Sequence, residues 1–240
     1  MDRYIDMHCH ILPGVDDGAQ NLEETRQMLQ IAFNEGTRLI IATPHHHPRR
    51  GHKRPEILNE QLRLVRAEAA KISDKFRIYL GTEVFFGQDV PEKINRGEIL
   101  TMNKRSTILL EFSLSDSYDY IRQGVQQVQM TGNQVIIAHA ERYQCLLDDI
   151  GYAEELCDMG ASIQVNAGSI IGDGGRRAKK FVKELMNEDM VFGVGTDAHG
   201  VQTRAPKMKK AADYVKKKYG EEYMRRIFFD NAATLLRKRK

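Results

Sequence analysis

Short apolar segments alternate with amphipathic segments along the chain, and this alternation constrains the fold more than any other feature. Seven segments have the length and apolar character of strands: residues 4–8, 38–43, 76–83, 107–112, 134–139, 162–166 and 191–196. Helical periodicity follows most of them, at 22–35, 55–72, 90–96, 118–130, 150–159 and 177–188, with further helices at the C-terminus. Strands that alternate with helices predict a parallel α/β sheet, most simply a closed or nearly closed barrel. A doubly wound open sheet is the alternative.

Local signals agree with these helix boundaries. Asn21 followed by Glu24 resembles a capping box, and Gly36 lies where the first helix should end. Pro55 suits the first turn of the second helix. The Gly-rich segment 168–175 lacks the ending of a phosphate-binding P-loop and is interpreted as an ordinary loop. No low-complexity linker interrupts the chain, so we expect one domain over residues 1–240.

Metal-ligand residue types occur at or just past the ends of these strand segments. They are His8, His10, Asp17, His45, Glu83, Glu111, His139, Asp197 and His199. Active sites of parallel barrels form at the carboxyl ends of the strands, whereas an open sheet would collect ligands at one switch point. The pattern therefore predicts one pocket, built by the whole fold, that holds more than one metal ion. Metal-assisted hydrolysis, of a phosphate ester in particular, is the chemistry that such a pocket suits.

The individual motifs are less specific than their sum. His8 and His10 lie two residues apart in an extended segment and so point the same way, while Cys9 points into packing. By the same spacing, Asp197 and His199 form a second pair of potential ligands. An isolated His-x-His is as often a pair of unrelated surface histidines, and an isolated Asp-Asp-Gly is usually a turn.

Buried carboxylates give the strongest individual signal. Glu83 and Glu111 each end a strongly apolar strand, where a carboxylate is costly unless it is paired or metal-bound. An ion pair with Arg or Lys is the alternative for each. Imidazole and carboxylate ligands together favour Mn, Fe or Zn over Ca or Mg, and a ligand set without thiolates disfavours structural zinc.

Cysteine chemistry is not expected. Cys9, Cys145 and Cys157 have no CxxC spacing, and none has an Arg six positions later, as a thiolate phosphatase loop requires. The chain also lacks a G-x-S-x-G nucleophile elbow. Arg142 and Arg204 follow two of the ligand segments and are candidates for binding phosphate oxygens; solvated surface arginines are the alternative.

Charge and hydropathy exclude other classes. A formal net charge of +3 does not by itself indicate nucleic-acid binding, and no apolar run approaches the ~18 residues of a membrane span. The N-terminal residues have charges where a signal peptide would be apolar, so we expect a cytoplasmic protein with no membrane insertion. Basic residues 49–54 could steer an anionic substrate, or could simply be solvated like those of the C-terminal segment 207–240.

The motifs together resemble a known group. They are DMHCHILPGVDDGAQNLEET, IATPHHH, GTEVFF, LLEFS, VIIAHAERY, QVNAGS, GTDAHG and DNAATLL. The chain is similar over nearly its whole length to the metal-dependent protein-tyrosine phosphatases of bacterial capsule and exopolysaccharide operons, within the polymerase-and-histidinol-phosphatase (PHP) superfamily. The long HCHILPGVDDG string is far more specific than His-x-His alone.

This resemblance implies a distorted (β/α)7 TIM-like barrel with three divalent ions, manganese above all, with Fe, Co, Zn or Mg as alternatives. One ion would be held by His8, His10, Glu83 and Asp197, and a second by Glu83, Glu111 and His139, with Glu83 bridging. The third would be held by Asp17, His45 and His199. Arg142 and Arg204 would bind the phosphate, and a metal-bridging hydroxide would attack phosphorus. The resemblance assigns no firm role to His46 or His47.

The implied substrate is a phosphotyrosine protein, the tyrosine-rich tail of a partner autokinase that controls polysaccharide synthesis. Three other functions compete: a small-molecule phosphatase such as histidinol phosphatase, a non-catalytic binding module, and a nuclease. The complete set of ligand types argues against the binding module, and the modest charge argues against a nuclease. A homo-oligomer is compatible with the sequence.

Overall fold

A computed structural model describes residues 3–236 of the chain. Its strands are β1 (Tyr4–Cys9), β2 (Thr37–Ala42), β3 (His45–His46), β4 (Arg77–Leu80), β5 (Glu83–Phe85), β6 (Thr107–Glu111), β7 (Gln134–Ile137), β8 (Ser162–Asn166) and β9 (Val191–Gly195). All ladder pairs between them are parallel. They form a three-stranded sheet in the order β1-β2-β4 and a six-stranded sheet in the order β3-β5-β6-β7-β8-β9.

Two strand positions are interrupted, and the interruption divides the ring of strands into these two sheets. The short strand β3 lies where the sequence predicted a loop after Pro44. The second strand breaks at Thr43 and Pro44, and the third, predicted as 76–83, breaks at Gly81 and Thr82. Backbone hydrogen bonds continue across the break, from Gly81 N to the Ala42 carbonyl and from Glu83 N to the Pro44 carbonyl. With each pair counted as one position, the chain has seven parallel strand positions, as predicted.

The seventh position returns to the first. Asp197 N donates to the His8 carbonyl at 2.7 Å, and His10 N donates to the Ala198 carbonyl at 2.9 Å, just beyond the end of β9. Gly195 permits this approach, because a Cβ there would lie 2.5 Å from the His8 Cβ. Sequential strand order with this return is the order of a distorted (β/α)7 barrel and not of a doubly wound sheet, so the predicted fold class is confirmed.

The helices are α1 (Leu22–Asn34), α2 (Pro55–Ile72), α3 (Val90–Asn95), α4 (Tyr118–Gln129), α5 (Gln144–Asp148), α6 (Gly151–Asp158), α7 (Ala167–Ile171), α8 (Gly175–Asn187), α9 (Lys209–Tyr219), α10 (Glu221–Arg225) and α11 (Asn231–Thr234). Single helical turns lie at Met102–Lys104 and Ala140–Arg142, and a π-helical turn at Arg226–Asp230. The interpretation of residues 168–175 as a loop was wrong in part, since α7 occupies its first half and α8 begins at its last residue.

The expected cap of α1 forms. Asn21 Oδ1 accepts a hydrogen bond from Glu24 N at 3.0 Å, and the Glu24 carboxylate reaches back to Gln20 N at 2.9 Å. A polar cap at this point ends the preceding loop, which contains the Asp-Asp-Gly segment. The loop is thereby anchored beside the carboxyl end of β1.

The core has three clusters of buried apolar residues. Two of them pack the strands against the outer helices. The third includes Ile5, Ile41, Leu109 and Ile136, from strands that are not all neighbours, and it is completed by residues after β9 such as Leu235. It therefore fills the space that the strands enclose, beneath their carboxyl ends. None of the described helices has the length and apolar character to cross a bilayer.

Candidate metal centre

All nine predicted ligand residues lie together at the carboxyl ends of the strands. Seven are buried, His199 is partly exposed, and Asp17 is exposed. Nitrogen and oxygen atoms of eight of them, all except His139, form three overlapping groups, and within each group the potential ligand atoms lie within 4.8 Å of one another. The barrel thus brings side chains from six strand ends and one loop into a single polar cluster.

The first group is His8, His10, Glu83 and Asp197. His8 Nε2 and His10 Nε2 lie 3.2 Å apart. Both also lie within 3.5 Å of Glu83 Oε2 and Asp197 Oδ1. Two imidazole nitrogens and two carboxylate oxygens that converge in this way suit one divalent ion.

The second group joins His10 to Asp17, His45 and His199. Asp17 Oδ1 lies 3.2 Å from His45 Nε2 and 3.4 Å from His199 Nε2. His10 and His199 have ring centroids only 3.9 Å apart. The structure thus adds His10 to the three residues that the resemblance implied for this ion.

The third group is His45, Glu83 and Glu111, with His45 in the place expected for His139. His45 Nδ1 lies 3.0 Å from Glu83 Oε2 and 3.8 Å from Glu111 Oε2. His139 lies on the other side of the same carboxylates, with its Nε2 at 2.8 Å from Glu83 Oε1 and 3.7 Å from Glu111 Oε1. Glu83 therefore belongs to two of the three expected sets of ligands and contacts the remaining set through His45.

Several buried atoms of this cluster have no hydrogen-bond partner among the described residues. They are Nδ1 and Nε2 of His45, Oε2 of Glu83, Oε2 of Glu111, Nδ1 of His139 and Nε2 of His199. Leaving so many buried polar atoms unpaired is costly in a protein interior. Most of them point into the three groups, and their nitrogen and oxygen chemistry fits divalent metal ions. The residues present therefore fit the implied cofactor.

Electrostatics in the cluster favour bound cations. Although burial alone would raise it, the surrounding histidines hold the pKa of Glu83 well below its usual range. Burial also opposes charge on His10, but Asp16 and the other carboxylates hold the His10 pKa well above its usual value. Burial, reinforced by the charge of Glu83, raises the pKa of Glu111 to about 7. The pKa of His10 and that of Glu111 are thus both raised, and metal ions bound among these side chains would compete with their protons.

Two ligand candidates lie on left-handed backbone, which turns their side chains out of the strand direction. His139 has a φ of 33°, and Asp197 a φ of 52°. Non-glycine residues are uncommon in this region and carry strain that the surrounding structure must hold. At Asp197 the extended strand has already ended, so simple alternation does not align Asp197 with His199. Instead the two residues belong to different groups, unlike His8 and His10.

Residues that orient the ligand candidates were missed in the sequence. Asp16 Oδ2 lies 2.9 Å from His10 Nδ1 and accepts a hydrogen bond from His45 N at 2.9 Å. Gln164 Oε1 lies 3.1 Å from His8 Nδ1 and accepts from His139 N at 2.8 Å. The only sequence signal for Gln164 was an amide within an apolar strand, and Asp16 was masked by its turn-like neighbours.

Three arginines stand at the mouth of the cluster. Arg142 Nη1 donates to Asp197 Oδ2 at 3.3 Å, and Arg204 Nη2 lies 2.5 Å from the same oxygen. On the opposite side, Arg50 Nη1 lies 3.4 Å from Glu111 Oε1. Their side chains are 30–42% exposed, so each guanidinium has donors that face solvent. Guanidinium groups in this position suit a phosphate bound over the cluster.

The three cysteines lie apart from this chemistry. Cys9 is buried on the opposite face of β1, among the apolar residues between the strands and α1. Burial raises the pKa of the Cys9 thiol well above its usual value and that of Cys157 to about 11. Neither thiol has the depressed pKa of a nucleophilic cysteine.

Known proteins are similar to this chain in sequence and in fold. Tyrosine-protein phosphatase CpsB of Streptococcus pneumoniae is 32% identical over 237 residues, which are 97% of this chain and 98% of that protein. A crystal structure from a study of YwqE from Bacillus subtilis and CpsB from Streptococcus pneumoniae, described as metal-dependent tyrosine phosphatases, superimposes with a TM-score of 0.89 at 30% identity. The match covers 97% of this chain and 94% of that one.

A more distant structure shares the fold alone. Histidinol phosphate phosphatase from Lactococcus lactis, complexed with zinc, L-histidinol and phosphate, superimposes with a TM-score of 0.56 at 14% identity and covers 90% of this chain and 94% of that one. Residues 4–237 match the family described as capsular polysaccharide synthesis, CpsB/CapC. Because this match spans nearly the whole chain, the protein belongs to the CpsB/CapC family of capsular polysaccharide synthesis.

Proposed function

We propose that this protein is a metal-dependent phosphatase that removes phosphate from tyrosine residues of a partner protein. The observation that carries the proposal is the convergence of nine imidazole and carboxylate side chains, several with unpaired buried atoms, beneath arginines that face solvent. The names of the relatives that match over the full chain give the same reaction.

In this proposal three divalent ions, manganese above all, occupy the cluster. His8, His10, Glu83 and Asp197 would hold one ion, and Asp17, His45 and His199 would hold another. Glu83, Glu111 and His139 would hold the last, with His45 close enough to share it. Bound ions would supply Lewis acidity, lowering the pKa of water for attack on phosphorus and neutralising charge on the phosphoryl oxygens.

The chain's own residues then hold and orient the phosphate. Arg142 and Arg204 share Asp197 Oδ2 and can turn their free donors toward phosphoryl oxygens above the cluster. Asp16 and Gln164 orient the imidazoles of His10 and His8, so that each presents Nε2 to the cluster. Pre-set donors of this kind stabilise the charge that develops in the transition state without reorganising.

The remaining parts of the proposal concern the cellular role. We infer that the substrate is the phosphorylated tail of a bacterial tyrosine autokinase and that the enzyme acts in the cytoplasm, in control of capsular or exopolysaccharide synthesis. Family membership supports the connection to capsule synthesis. A homo-oligomer is compatible with the proposal, which does not require one.

Phosphate release is the test. The protein is assayed with a phosphotyrosine peptide, a phosphoserine peptide and histidinol phosphate, each with added Mn²⁺ and with a chelator. We expect chelator-sensitive release from the tyrosine peptide in large excess over the other two. Release mainly from histidinol phosphate would keep the metal centre but assign the enzyme to a small-molecule substrate, and release that persists in chelator would refute the metal-dependent reaction.

A further inference from the structure

The loop between β3 and α2 has a concentration of positive charge beside the metal centre. We define the cationic loop as residues 48–54; it contains Arg49, Arg50, Lys53 and Arg54 and no acidic residue. All four side chains belong to exposed residues. Its position after the second strand puts it at the same end of the barrel as the candidate ligands.

Specific contacts hold this loop in one shape. His47 Nδ1 accepts hydrogen bonds from Arg49 N at 2.9 Å and from Arg50 N at 3.1 Å. His47 and Gly51 also pair through their backbones, with N–O distances of 2.9 and 3.3 Å. The His47 ring packs against Phe85, with centroids 4.3 Å apart. His47 is therefore a structural support of the loop, a role that its sequence position beside His45 did not reveal.

Gly51 fixes the loop against the neighbouring Asp-Asp-Gly segment. Its φ of 121° lies in the region that favours glycine, and a Cβ there would lie 3.1 Å from the Val15 carbonyl oxygen. The Gly51 backbone thus lies close to the Val15 backbone, which places the loop beside the mouth. The cations of the loop are thus presented on an ordered turn and not on a free tail.

The four cations are not equivalent. Arg50 reaches into the mouth, where it contacts Glu111. Within residues 3–236, no ion pair is formed by Arg49, Lys53 or Arg54. Arg49, Lys53 and Arg54 lie next to a buried site, and Arg50 contacts its edge, so the loop forms a surface that would attract negative charge outside the phosphate pocket.

We propose that the cationic loop is a docking surface for acidic side chains that flank the target phosphotyrosine in the substrate protein. This inference rests on the proposed function and adds the substrate's sequence preference to it. An extended peptide advances about 3.3 Å per residue, so a chain whose phosphotyrosine occupies the mouth passes the loop within a few residues. Asp or Glu at those positions would pair with Arg49, Lys53 and Arg54, and Arg50 would bridge the docking surface and the phosphate.

The test compares three substrates: a phosphotyrosine peptide with Glu at the flanking positions on both sides, the same peptide with Gln there, and free phosphotyrosine. The variant Arg49→Gln/Lys53→Gln/Arg54→Gln removes three charges but leaves Arg50 and the metal ligands unchanged. Its matched control, Lys183→Gln/Lys210→Gln/Lys217→Gln, removes three exposed charges from α8 and α9, after β8 and β9. All assays use the full-length protein loaded with Mn²⁺.

We expect the wild type and the control to prefer the Glu peptide, and the loop variant to lose this preference. Three exposed ion pairs are worth about tenfold in kcat/KM together, and the loss should shrink at high salt. Hydrolysis of free phosphotyrosine should not change. An equal fall in kcat/KM for all three substrates would overturn docking and indicate a general electrostatic attraction instead. An unchanged preference of the loop variant for the Glu peptide would also overturn docking.

A binding measurement separates failure of this proposal from failure of the proposed function. A fluorescent Glu-flanked peptide with unphosphorylated tyrosine is titrated with each protein, with anisotropy as the readout. Weaker binding to the loop variant than to the control supports docking even if no tyrosine phosphate is hydrolysed. Equal binding to both proteins, together with equal kinetics, rejects docking while leaving the phosphatase intact.

Discussion

The floor and the rim of the metal centre are built by different means. The floor consists of ligand candidates at strand ends, with side chains 0–3% exposed for His8, His10, Glu83 and Asp197. The rim consists of Arg50, Arg142 and Arg204, which come from loops or turns and are 30–42% exposed. Strand ends hold atoms close together in a buried cluster, whereas loops hold exposed charges that can reorient. We therefore expect floor substitutions to abolish metal binding, and rim substitutions to alter only how the substrate is bound.

The largest effect is expected at Glu83, which contacts four histidines of the floor. Glu83→Gln keeps the volume but removes a charge that two of the three groups share and that contacts the other group through His10 and His45, so bound metal should be lost. Because metal ions contribute several kcal/mol to the transition state, kcat/KM should fall about 10³-fold or more. Metal content by mass spectrometry and phosphate release would measure this. A fully metallated and active variant would refute the assignment of the floor.

Asp16 tests whether the floor depends on residues that orient its ligands. Asp16→Asn would replace the carboxylate that faces His10 Nδ1 with an amide, which misorients the ring and weakens its donor nitrogen. Such changes typically cost 10–100-fold in metal affinity. Titration with Mn²⁺ would report it, with the exposed Asp74→Asn as the matched control. Equal Mn²⁺ affinity of the Asp16 and Asp74 variants would mean that His10 is held without Asp16.

Arg142 tests the rim. Arg142→Ala should leave metal content normal, because the guanidinium is not a ligand, but should lower kcat/KM about 10–100-fold through one lost charge-assisted hydrogen bond to phosphate. Arg122→Ala, on α4, is the matched control, since its only ion pair given by the structure is with Asp119. Loss of metal from the Arg142 variant would mean that this arginine also supports metal binding, so that rim and floor would not have separate roles.

Much of the floor was predictable because it follows from one regularity. In a parallel barrel every strand position brings the residues at or near its carboxyl end to the same place, so His8, Glu83, Glu111 and Asp197 could be placed near one another without any contact information. The number and order of the strand positions followed from the same alternation. For these residues, the position at the end of a strand segment in the sequence is enough to predict the position in the folded protein.

What the sequence did not reveal depends on backbone geometry that no periodicity encodes. The breaks at Pro44 and Gly81 divide the ring into two sheets, and left-handed backbone at His139 and Asp197 re-aims both side chains. Gln164 acts through His8 at a separation of 156 residues, and Asp16 contacts both His10, in the same loop region, and His45, 29 residues away. Such pairs become visible only when the barrel closes.

Glu141 lies between floor and rim and should affect stability more than catalysis. Its carboxylate accepts a hydrogen bond from Asn166 N at 2.9 Å, and burial raises its pKa from 4.5 to about 7. Between these pH values the folded state binds more protons than the unfolded state, so stability falls as pH rises. The proton on Glu141 stabilises the folded state fully below about pH 4.5, and this stabilisation is lost by about pH 7. Between these pH values the loss is up to about 1.4 kcal/mol per pH unit.

Glu141→Gln should therefore flatten the pH dependence of stability. Urea unfolding in chelator at pH 5 and pH 7.5 measures it, since chelator removes the pH dependence that bound metal would add. The variant should lose less stability between the two pH values than the wild type. Identical pH dependence in both proteins would mean that the Glu141 carboxyl group has the same pKa in the folded and the unfolded protein.

The smallest effect is expected at the cysteines, including the one that lies in β1 between two floor residues but faces away from them. Cys9 lies between His8 and His10 but packs on the other side of β1, and burial raises its pKa, as it also does for Cys145 and Cys157. In Cys9→Ala/Cys145→Ser/Cys157→Ser, metal content and kcat/KM should match the wild type, and only thermal stability should fall, through the small cavity left at Cys9. Loss of activity in a folded, fully metallated triple variant would indicate that a cysteine thiolate carries the chemistry. The histidines of β1 would then not be the catalytic centre, and the separation of floor and rim would not account for catalysis.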